Sequence, residues 1–418
     1  MHPDSSTYFE AHELQAFREA LALLWQKRPG LFKRPFSTPL VDESQFLRLL
    51  LGWADDVRAG RREGEVATID AGALPDGDTT LRGLEERLDA CWKGDWYAYV
   101  PDGVQQLDGD LWERFIELGK VMIELNGGLP PGGFKLDMFF GRYGRTPTGI
   151  HLDSSDNLAF VTRGPKRMLF WQRERFEPLF RTPPGDPSHE GALTGRYEDH
   201  LAGAIEIIAE AGDVIYWPKE FWHIGVSGGD WSGMITAPMW WRGRPKTIAT
   251  QVLHRTLELP GETQPVPMDL ARAADAALVM PPALEQLVTS VKAQVENNLD
   301  RTARLHWARF VTAYGFTTLP ALADRPSLTR ASRVRVKHVV AAIPLGAIAV
   351  VAVGRYTVVA LPSLAELPHV LAVGTEHEVG SLLERFAAGD VGDEAALVDV
   401  LADLVTFRAL VVVSSTSA

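Results

Sequence analysis

Two short segments, His151-Leu-Asp153 and Gly212-Asp-Val-Ile-Tyr-Trp-Pro-Lys-Glu-Phe-Trp-His223, decide the fold expected for this chain. In the second segment, the Gly-Asp pair is typical of a turn, the next four residues are typical of a strand, and the proline ends that strand. Side chains two apart on a strand point to the same face, so His151 and Asp153 are expected to converge from one strand. The two segments therefore predict polar side chains that meet inside a β-rich core.

His151, Asp153 and His223 are the candidate metal ligands. Two imidazoles and one carboxylate suit a non-haem Fe(II) that is held on one face, because the opposite positions stay open for an oxidant and a co-substrate. A lone His-x-Asp arises often by chance, whereas its combination with the downstream turn, strand and histidine is specific. His189 and His200 belong to a long insertion, and we expect them to be solvated loop residues.

Length and composition indicate a soluble protein of two or three domains, with 418 residues, 46% hydrophobic and 23% charged. The formal net charge of -12 argues against broad, nonspecific binding to nucleic acid or to an anionic membrane. The single cysteine, Cys91, excludes an intrachain disulfide framework and fits a reducing cytosol. The first ten residues do not resemble a signal peptide, and the longest apolar run, Val339 to Val353, is shorter than the ~20 residues that span a bilayer. We therefore expect a cytoplasmic protein without membrane segments.

Apolar periodicity divides the chain into four regions. They are a helical N-terminal region (1–126), a region of short strands (127–246), a second helical region (247–313) and a C-terminal region of helices and strands (314–418). The short strands of the second region are spaced as in a barrel or sandwich. The predicted strands there are Phe134–Tyr143, Asn157–Arg163, Arg167–Trp171, Ala204–Ala209, Asp213–Trp217 and Gly233–Trp241.

Two further stretches carry specific expectations. Gln172 to Leu201 is polar and contains prolines, and a connection of this length is usually functional or mobile. In the C-terminal region we predict a strand pair, Val334–Ile343 and Ile348–Ala360, and a final strand that ends at Val413.

The stretch Thr148 to Phe170, read together with the segment that ends at His223, resembles the core of the JmjC and cupin-type 2-oxoglutarate oxygenases. The pattern is most similar to the asparaginyl hydroxylase of hypoxia-inducible factor and to the ribosomal-protein hydroxylases, and it covers about Phe134 to Arg242. The resemblance implies a mixed α and β protein whose core is a double-stranded β-helix (jelly-roll, or cupin) that uses Fe(II), 2-oxoglutarate and O2. It also implies that residues 314–418 form a winged-helix-like domain and that residues 247–313 dimerise.

By the same resemblance, Thr148, Asn157 and Lys166 fall where this family holds its co-substrate. Lys166 opens a predicted strand and shares a face with Met168 and Phe170, so its ammonium is expected to meet the distal carboxylate of 2-oxoglutarate inside the barrel. The alternative for Lys166 is an exposed lysine at a strand end. The alternatives for Thr148 and Asn157 are polar residues of a turn or a strand end.

Pro238 is a departure from the family pattern. Near the end of the last core strand the asparaginyl hydroxylase carries an amide close to the co-substrate, and Pro238 occupies the matching position here. Proline is usually confined to sheet edges or bulges, so the surroundings of the co-substrate are expected to differ. Trp217 and Trp222 flank the predicted ligand strand, and one of them is a candidate for lining the substrate pocket.

The sequence predicts an enzyme that hydroxylates an amino-acid side chain in a protein or peptide. A free amino acid or a natural-product small molecule is the alternative substrate, and lysine demethylation is a third possibility. A cupin-like scaffold without activity is the non-enzymatic alternative, but the intact ligand set and Lys166 argue against it.

The partners expected for the C-terminal region follow from its charge. Residues 314–418 hold eight Lys and Arg against ten Asp and Glu, with one short basic run from Arg330 to Lys337. Binding of duplex nucleic acid requires clustered cations that neutralise several phosphates. We therefore expect no nucleic-acid partner and no membrane partner, and we expect a homodimer, the commonest closed assembly.

Overall fold

The computed structural model describes residues 8–60, 80–91, 94–101, 103–146, 148–176, 189–193, 195–241, 282–316, 318–387 and 389–413. The chain divides into two compact units: unit 1 comprises residues 1–242 and 314–323, and unit 2 comprises residues 243–313 and 324–418. Both units combine α-helices with antiparallel sheets, as expected for a mixed α and β protein.

The described helices of unit 1 are α1 (Ala11–Leu24), α2 (Glu43–Arg58), α3 (Leu81–Cys91) and α4 (Gly109–Asn126). Its described strands are β1 (Gly30–Phe32), β2 (Trp96–Val100), β3 (Asp137–Arg142), β4 (Ile150–Asp153), β5 (Ser155–Arg163), β6 (Lys166–Gln172), β7 (His189–Leu193), β8 (Ile205–Ala209), β9 (Val214–Trp217), β10 (Phe221–Val226) and β11 (Ser232–Trp240). The helical periodicity of the N-terminal region and the six strands predicted between residues 127 and 246 are therefore confirmed.

Helix α4 shows how the local sequence sets the ends of an element. The Asp108 carboxylate accepts hydrogen bonds from the backbone N–H groups of Asp110 and Leu111, which have no partner within the helix. At the other end Gly127 adopts a left-handed conformation, with φ of 75°, which a glycine accepts without steric cost.

Two antiparallel sheets form the centre of unit 1. Their strand orders are β1-β9-β5-β11-β3-β2 and β7-β4-β10-β6-β8. One core cluster contains residues from both sheets, so the two inner faces pack on each other: Ala159, Val161, Met168, Phe170, Ile207, Ala209, Ile215, Trp217, Phe221 and Met234. Alternate residues of the second sheet, including Leu152, Trp171 and Trp222, belong to a separate cluster on its outer face. Trp217 therefore points inward and Trp222 points outward.

The stretch Gln172–Leu201 is not wholly a loop, contrary to the expectation from its composition. It contains β7, which pairs with β4 from Ile150↔Leu193 to Asp153↔His189. Polar residues are compatible with this position because, among the described strands, β7 is the edge of its sheet. Residues 177–188 and 194 of the stretch lie outside the described residues.

Unit 2 contains α5 (Pro282–Thr312), α6 (Leu367–Val370), α7 (Val379–Phe386) and α8 (Val391–Thr406) among its described residues. Its described strands are β12 (Arg333–Val336), β13 (Val340–Pro344), β14 (Ile348–Ala352), β15 (Arg355–Val359), β16 (Glu376–Glu378) and β17 (Leu410–Val413). They form two three-stranded sheets, β16-β12-β17 and β13-β14-β15, and α5 packs on the second sheet through Leu305 and Ala308.

The prediction of two strands in the C-terminal region was wrong, because each of the predicted strands is divided into two separate strands in the structure. Val353 and Gly354 both adopt positive φ, at 47° and 71°, and close a two-residue hairpin between β14 and β15. Val336 and Val340 belong to different sheets, so the first predicted strand also breaks. The final strand was predicted correctly. No helix within the described ranges has the length and apolar character that a membrane span requires.

Asp213 anchors the turn that precedes β9 and is 1% exposed. Its carboxylate accepts hydrogen bonds from Lys33 Nζ at 2.7 Å, from the backbone N–H of Arg34 at 3.1 Å and from that of Glu210 at 2.8 Å. These bonds tie β8, β9 and the segment after β1 together immediately before the strand pair that carries His223.

We predict that Asp213→Ala lowers the free energy of unfolding of unit 1 by about 2 to 4 kcal/mol, because it removes a buried carboxylate that accepts three hydrogen bonds, one of them from the Lys33 ammonium. Tryptophan fluorescence in urea is a suitable measurement, since eleven of the twelve tryptophans lie between residues 25 and 241. Asp230→Ala, at an exposed turn position, serves as the control. A loss below about 0.5 kcal/mol would contradict the anchoring role.

Candidate metal centre

His151, Asp153 and His223 converge at one point on the inner face of the second sheet. Their nearest ligand atoms all lie within 4.8 Å of one another. His151 Nε2 lies 3.9 Å from Asp153 Oδ1, and His223 Nε2 lies 3.4 Å from Asp153 Oδ2. Among the described residues, these three form the group of His, Cys, Asp or Glu side chains that could hold a metal ion. The structure thus brings together all three residues that the sequence nominated.

Strand pairing explains the convergence. His223 on β10 is in register with His151 on β4 and, on its other side, with Phe170 on β6. Asp153 follows two residues after His151 and therefore points to the same inner face. The sequence segment after Pro218 was expected to place the histidine just past a strand, and the structure places His223 within a further strand, β10.

Backbone carbonyls fix both imidazole rings. His151 Nδ1 lies 2.9 Å from the carbonyl oxygen of Gly149, and His223 Nδ1 lies 3.4 Å from that of Phe221. A ring that donates its Nδ1–H to a carbonyl carries its lone pair on Nε2, where a metal can bind. The two Nε2 atoms and the Asp153 carboxylate form one nitrogen, nitrogen and oxygen donor set. Donors bound at about 2.1 Å from one ion are about 3 Å apart, which is shorter than the 3.4 and 3.9 Å measured here, so binding an ion would draw the three side chains slightly together.

Lys166 lies on the inner face of β6 and is 1% exposed. Its ammonium donates a hydrogen bond to the Tyr143 hydroxyl and lies 4.8 Å from the centroid of the Tyr143 ring. A lysine is rarely buried to this degree without a function or a partner, because removing its charge from water is costly. The exposed strand-end alternative for Lys166 is therefore wrong.

Gly225 opens the space beside this lysine. A Cβ atom at position 225 would lie 3.1 Å from Lys166 Nζ and 3.2 Å from Thr146 Cγ2, so both side chains lie over the glycine. The backbone N–H of Thr146 also donates to the Gly225 carbonyl at 2.9 Å. The Thr146 hydroxyl is buried and has no hydrogen-bond partner among the described residues. A buried cation with a tyrosine and an unpartnered hydroxyl nearby is suited to bind a carboxylate.

Thr148, which the family pattern nominated, is exposed. It lies in a turn that is closed by a hydrogen bond from Gly149 N to Thr146 O. Sequence reasoning missed Thr146 and Tyr143. The alternation of the strand predicted to end at Tyr143 is the signal that could have identified the tyrosine.

Asn157 lies on the inner face of β5 and is buried, as its assignment requires. Its amide nitrogen donates to the carbonyl of Ser155 at 3.0 Å and to the Ser155 hydroxyl at 3.2 Å. Asn157 is in register with Trp217 on one side and with Pro238 on the other. The carbonyl of Pro238 accepts from the backbone N–H of Lys135 at 3.3 Å, so β11 remains anchored although the proline has no N–H of its own.

Asp156, on the opposite face of β5, holds the turn that leads to His223. Its carboxylate accepts from the backbone N–H of Lys219 at 2.7 Å and from the indole N–H of Trp241 at 2.6 Å. Burial raises the pKa of this carboxyl from its ordinary value to about 6, against the opposing effect of these two donors. Burial also raises the pKa of Tyr97, whose ring packs edge-on against Tyr143 at 6.0 Å.

The histidines of the insertion do not join the centre among the contacts described. The ring of His200 packs edge-on against Phe176 at 5.2 Å, and the His200 carbonyl accepts from Trp171 Nε1 at 2.8 Å. The side chain of His189 lies outside the described residues.

No protein-family model matches this chain, and no curated protein sequence matches it. Several solved structures are similar to it. YcfD from Escherichia coli is 18% identical over 95% of this chain and 98% of its own, with a TM-score of 0.47. A second structure of YcfD, described as a ribosomal oxygenase in complex with cobalt and succinic acid, is 19% identical over the same shares, with a TM-score of 0.44.

The epimerase SnoN, solved with Fe3+, alpha-ketoglutarate and nogalamycin RO, is 17% identical. That match covers 61% of this chain and 94% of SnoN, with a TM-score of 0.32. These proteins are of the general class that the sequence motifs resemble. At such low identities and TM-scores, the functional assignment depends on the residues of this chain.

We predict that His151→Ala, Asp153→Ala and His223→Ala each weaken binding of Fe(II) or Co(II) by more than about a hundredfold, since even residues that only orient ligands contribute ten- to hundredfold. Calorimetry under anaerobic conditions and metal analysis of the purified protein measure this. Without metal, the melting temperature of each variant should equal or exceed that of the wild-type protein, because each substitution removes one of three polar groups that crowd one another. His369→Ala, at a largely exposed position, is the control. Wild-type affinity in Asp153→Ala would rule out the three-residue site.

Proposed function

We propose that this protein is an Fe(II)/2-oxoglutarate-dependent oxygenase that hydroxylates an amino-acid side chain in a protein or peptide. The proposal depends on one observation: the cluster of His151, Asp153 and His223 and the buried Lys166 lie on the inner face of the same antiparallel sheet. Two facing antiparallel sheets with a common core agree with a double-stranded β-helix. Each feature alone has structural explanations, whereas their combination matches the two requirements of this chemistry, a metal and a dicarboxylate.

In this proposal, Fe(II) is bound by His151 Nε2, His223 Nε2 and the Asp153 carboxylate. Three ligands on one side leave positions for a bidentate 2-oxo acid and for O2. With these bound, the metal supplies oxidation of an unactivated C–H bond: one oxygen atom enters the substrate as hydroxyl, the other enters succinate, and carbon dioxide leaves. The protein contributes by orienting the imidazoles, holding the co-substrate and excluding water through the apolar core between the sheets.

Lys166 is proposed to bind the distal carboxylate of 2-oxoglutarate. Lys166 and Phe170, which is opposite His223, are four residues apart on β6, so their Cα atoms are about 13 Å apart. The lysine side chain covers about half of that distance, which leaves room for a five-carbon dicarboxylate between the ammonium and the metal. We assign Tyr143 and Thr146 as additional hydrogen-bonding residues at this distal end, in place of Thr148. Asn157 is assigned to the metal end.

A protein or peptide is favoured as the substrate because the chain carries a second folded unit in addition to the barrel. A small-molecule hydroxylase needs only the pocket, whereas a macromolecular substrate can use additional surface. A free amino acid or a natural product stays as the alternative.

Formation of succinate from 2-oxoglutarate in the presence of Fe(II) and ascorbate tests the enzyme class. Mass spectrometry of candidate peptides and amino acids for the gain of one oxygen atom then tests the substrate class. The protein-substrate proposal fails if free amino acids gain oxygen while peptides that contain them do not.

We predict that Lys166→Met weakens 2-oxoglutarate binding roughly thirty- to several-thousand-fold, the usual effect of removing one side of a desolvated charged contact. Methionine retains most of the volume of the lysine. Arg167→Met is the matched control, because Arg167 lies on the opposite face of β6 and pairs with Glu206. Calorimetric titration of the metal-loaded protein measures both. A change below about threefold in Lys166→Met, with a large change in Arg167→Met, would contradict the assignment.

For unit 2 we propose a winged-helix-like fold that serves self-association. The basic run does not offer free cations for phosphates: Arg330 pairs with Glu394, and Arg333 and Arg335 both pair with Glu376. Helix α5 exposes two large apolar side chains among its described residues, Leu299 and Trp307. Trp307 is 62% exposed, and its ring packs against Phe310 at 6.0 Å. An aromatic residue at this exposure supports an interface with a second copy.

We predict that the protein is a homodimer at micromolar concentration and that Trp307→Glu shifts it to a monomer, since the change places a charge in the interface. Light scattering during gel filtration measures the mass of each. Arg301→Glu, on the other side of the helix, is the control and should retain the dimer. A wild-type mass near 46 kDa would refute the homodimer, and salt-sensitive binding to duplex DNA would refute the absence of nucleic-acid binding.

A further inference from the structure

Trp217 is an aromatic residue that lies against the candidate metal centre. It ends β9 on the inner face and is 4% exposed. The centroid of its ring lies 5.1 Å from that of His223 and 5.8 Å from that of Phe170. Its indole N–H is buried and has no hydrogen-bond partner within the described part of the chain. A buried donor without an acceptor is unfavourable and rare in folded proteins.

Other tryptophans of this sheet system have acceptors for their indole N–H. Trp171 donates to the carbonyl of His200 at 2.8 Å, Trp222 donates to the carbonyl of Arg173 at 3.0 Å, and Trp241 donates to Asp156 at 2.6 Å. Trp25, Trp96 and Trp240 have no acceptor among the described residues; Trp25 stacks on Tyr216, Trp96 packs edge-on against Phe140, and Lys135 Nζ lies 5.6 Å from the centroid of the Trp240 ring. Trp217 differs from them because it adjoins a proposed ligand-binding position.

The inner layer at Trp217 consists of three residues in register on adjacent strands, Trp217, Asn157 and Pro238. The Asn157 amide nitrogen already donates to Ser155. Pro238 has neither a backbone N–H nor a polar side chain. Of the hydrogen-bond donors in this layer, the Trp217 indole N–H is therefore the one that has no partner among the described residues.

We propose that the Trp217 indole N–H donates a hydrogen bond to a carboxylate oxygen of the 2-oxo acid at its metal-binding end. This inference rests on the proposed function and deepens it by adding a positioning residue for the co-substrate. Lys166, Tyr143 and Thr146 occupy the other end of the same inner faces, so Trp217 is suited to the metal-binding carboxylate and not to the distal one. A hydrogen bond to a carboxylate is charge-assisted and shorter than a neutral one, and the packed ring holds the donor in one orientation.

The test uses the full chain with Zn(II), which does not react with O2, and with its tryptophans labelled with ¹⁵N. Trp217→Phe keeps an aromatic ring, removes the N–H and identifies the Trp217 signal in the NMR spectrum. On addition of 2-oxoglutarate we expect the Trp217 indole proton to move to higher frequency, while the indole protons of Trp171 and Trp222, which already have acceptors, move little. Zn(II) alone should not produce this shift.

Calorimetry provides the second readout. Trp217→Phe should weaken binding of 2-oxoglutarate to the Zn(II) protein by about ten- to a hundredfold, as expected for loss of one hydrogen bond to a charged group. Trp25→Phe, which removes another unpartnered indole N–H from a ring that stacks on Tyr216, should leave the affinity unchanged. Melting temperatures of both variants report whether they fold.

Three results would overturn the inference. One is a Trp217 indole signal that stays in place when calorimetry shows the wild-type site to be saturated. Another is a change in affinity below about threefold in folded Trp217→Phe. The third is a shift that occurs only when a peptide is added, because the N–H would then serve the substrate. Wild-type protein that binds Zn(II) but no 2-oxoglutarate contradicts the proposed function itself, so the two failures are distinguishable.

Discussion

The register of β10 between β4 and β6 is the constraint on which the rest of the site depends. It places His223 beside His151 and Phe170, and the two-residue period of the strands then brings Asp153 and Lys166 to the same interior. A slip of one residue would turn His223 outward and Trp222 and Ile224 inward. The two apolar clusters, one on each face of the second sheet, oppose that slip because each accepts only one set of alternate side chains. Packing of the outer face therefore maintains the chemistry of the inner face.

The polar groups of the interior are costly for the fold, and their supports are correspondingly specific. The Lys166 ammonium is removed from water and is held by Tyr143, while the turn before His223 is held by Asp156 through Lys219 and Trp241. Two imidazoles and a carboxylate have their ligand atoms within 4.8 Å of one another, an arrangement that a metal ion stabilises more effectively than water. Thr146 and Trp217 each carry a buried donor without a partner among the described residues, the first near Lys166 and the second near His223. In the proposed complex, a dicarboxylate would accept a hydrogen bond from each of these two donors.

Much of the site was predictable from sequence because it depends on short-range rules. The spacing of His151 and Asp153, the Gly212-Asp213 turn and the alternation of Lys166 with Met168 and Phe170 each involve neighbouring residues on one strand. The exposure of Thr148 was not predictable in this way, because Thr148 lies in a turn that is closed by a backbone hydrogen bond from Gly149 to Thr146. The same limit applies to the C-terminal strands, where a left-handed Val353 makes a hairpin that a valine does not ordinarily suggest. The alignment of Trp217, Asn157 and Pro238 depends on the register between three adjacent strands, and no local sequence pattern specifies that register.

Absorption spectroscopy of the anaerobic Fe(II) protein tests the central claim most directly, because a 2-oxo acid that chelates Fe(II) through its carboxylate and keto oxygens gives a visible charge-transfer band. We predict that one equivalent of 2-oxoglutarate produces this band in the wild-type protein, that succinate does not, and that Asp153→Ala does not develop it. A protein that binds one Fe(II) per chain at His151, Asp153 and His223 but shows no such band at saturating 2-oxoglutarate would contradict the account.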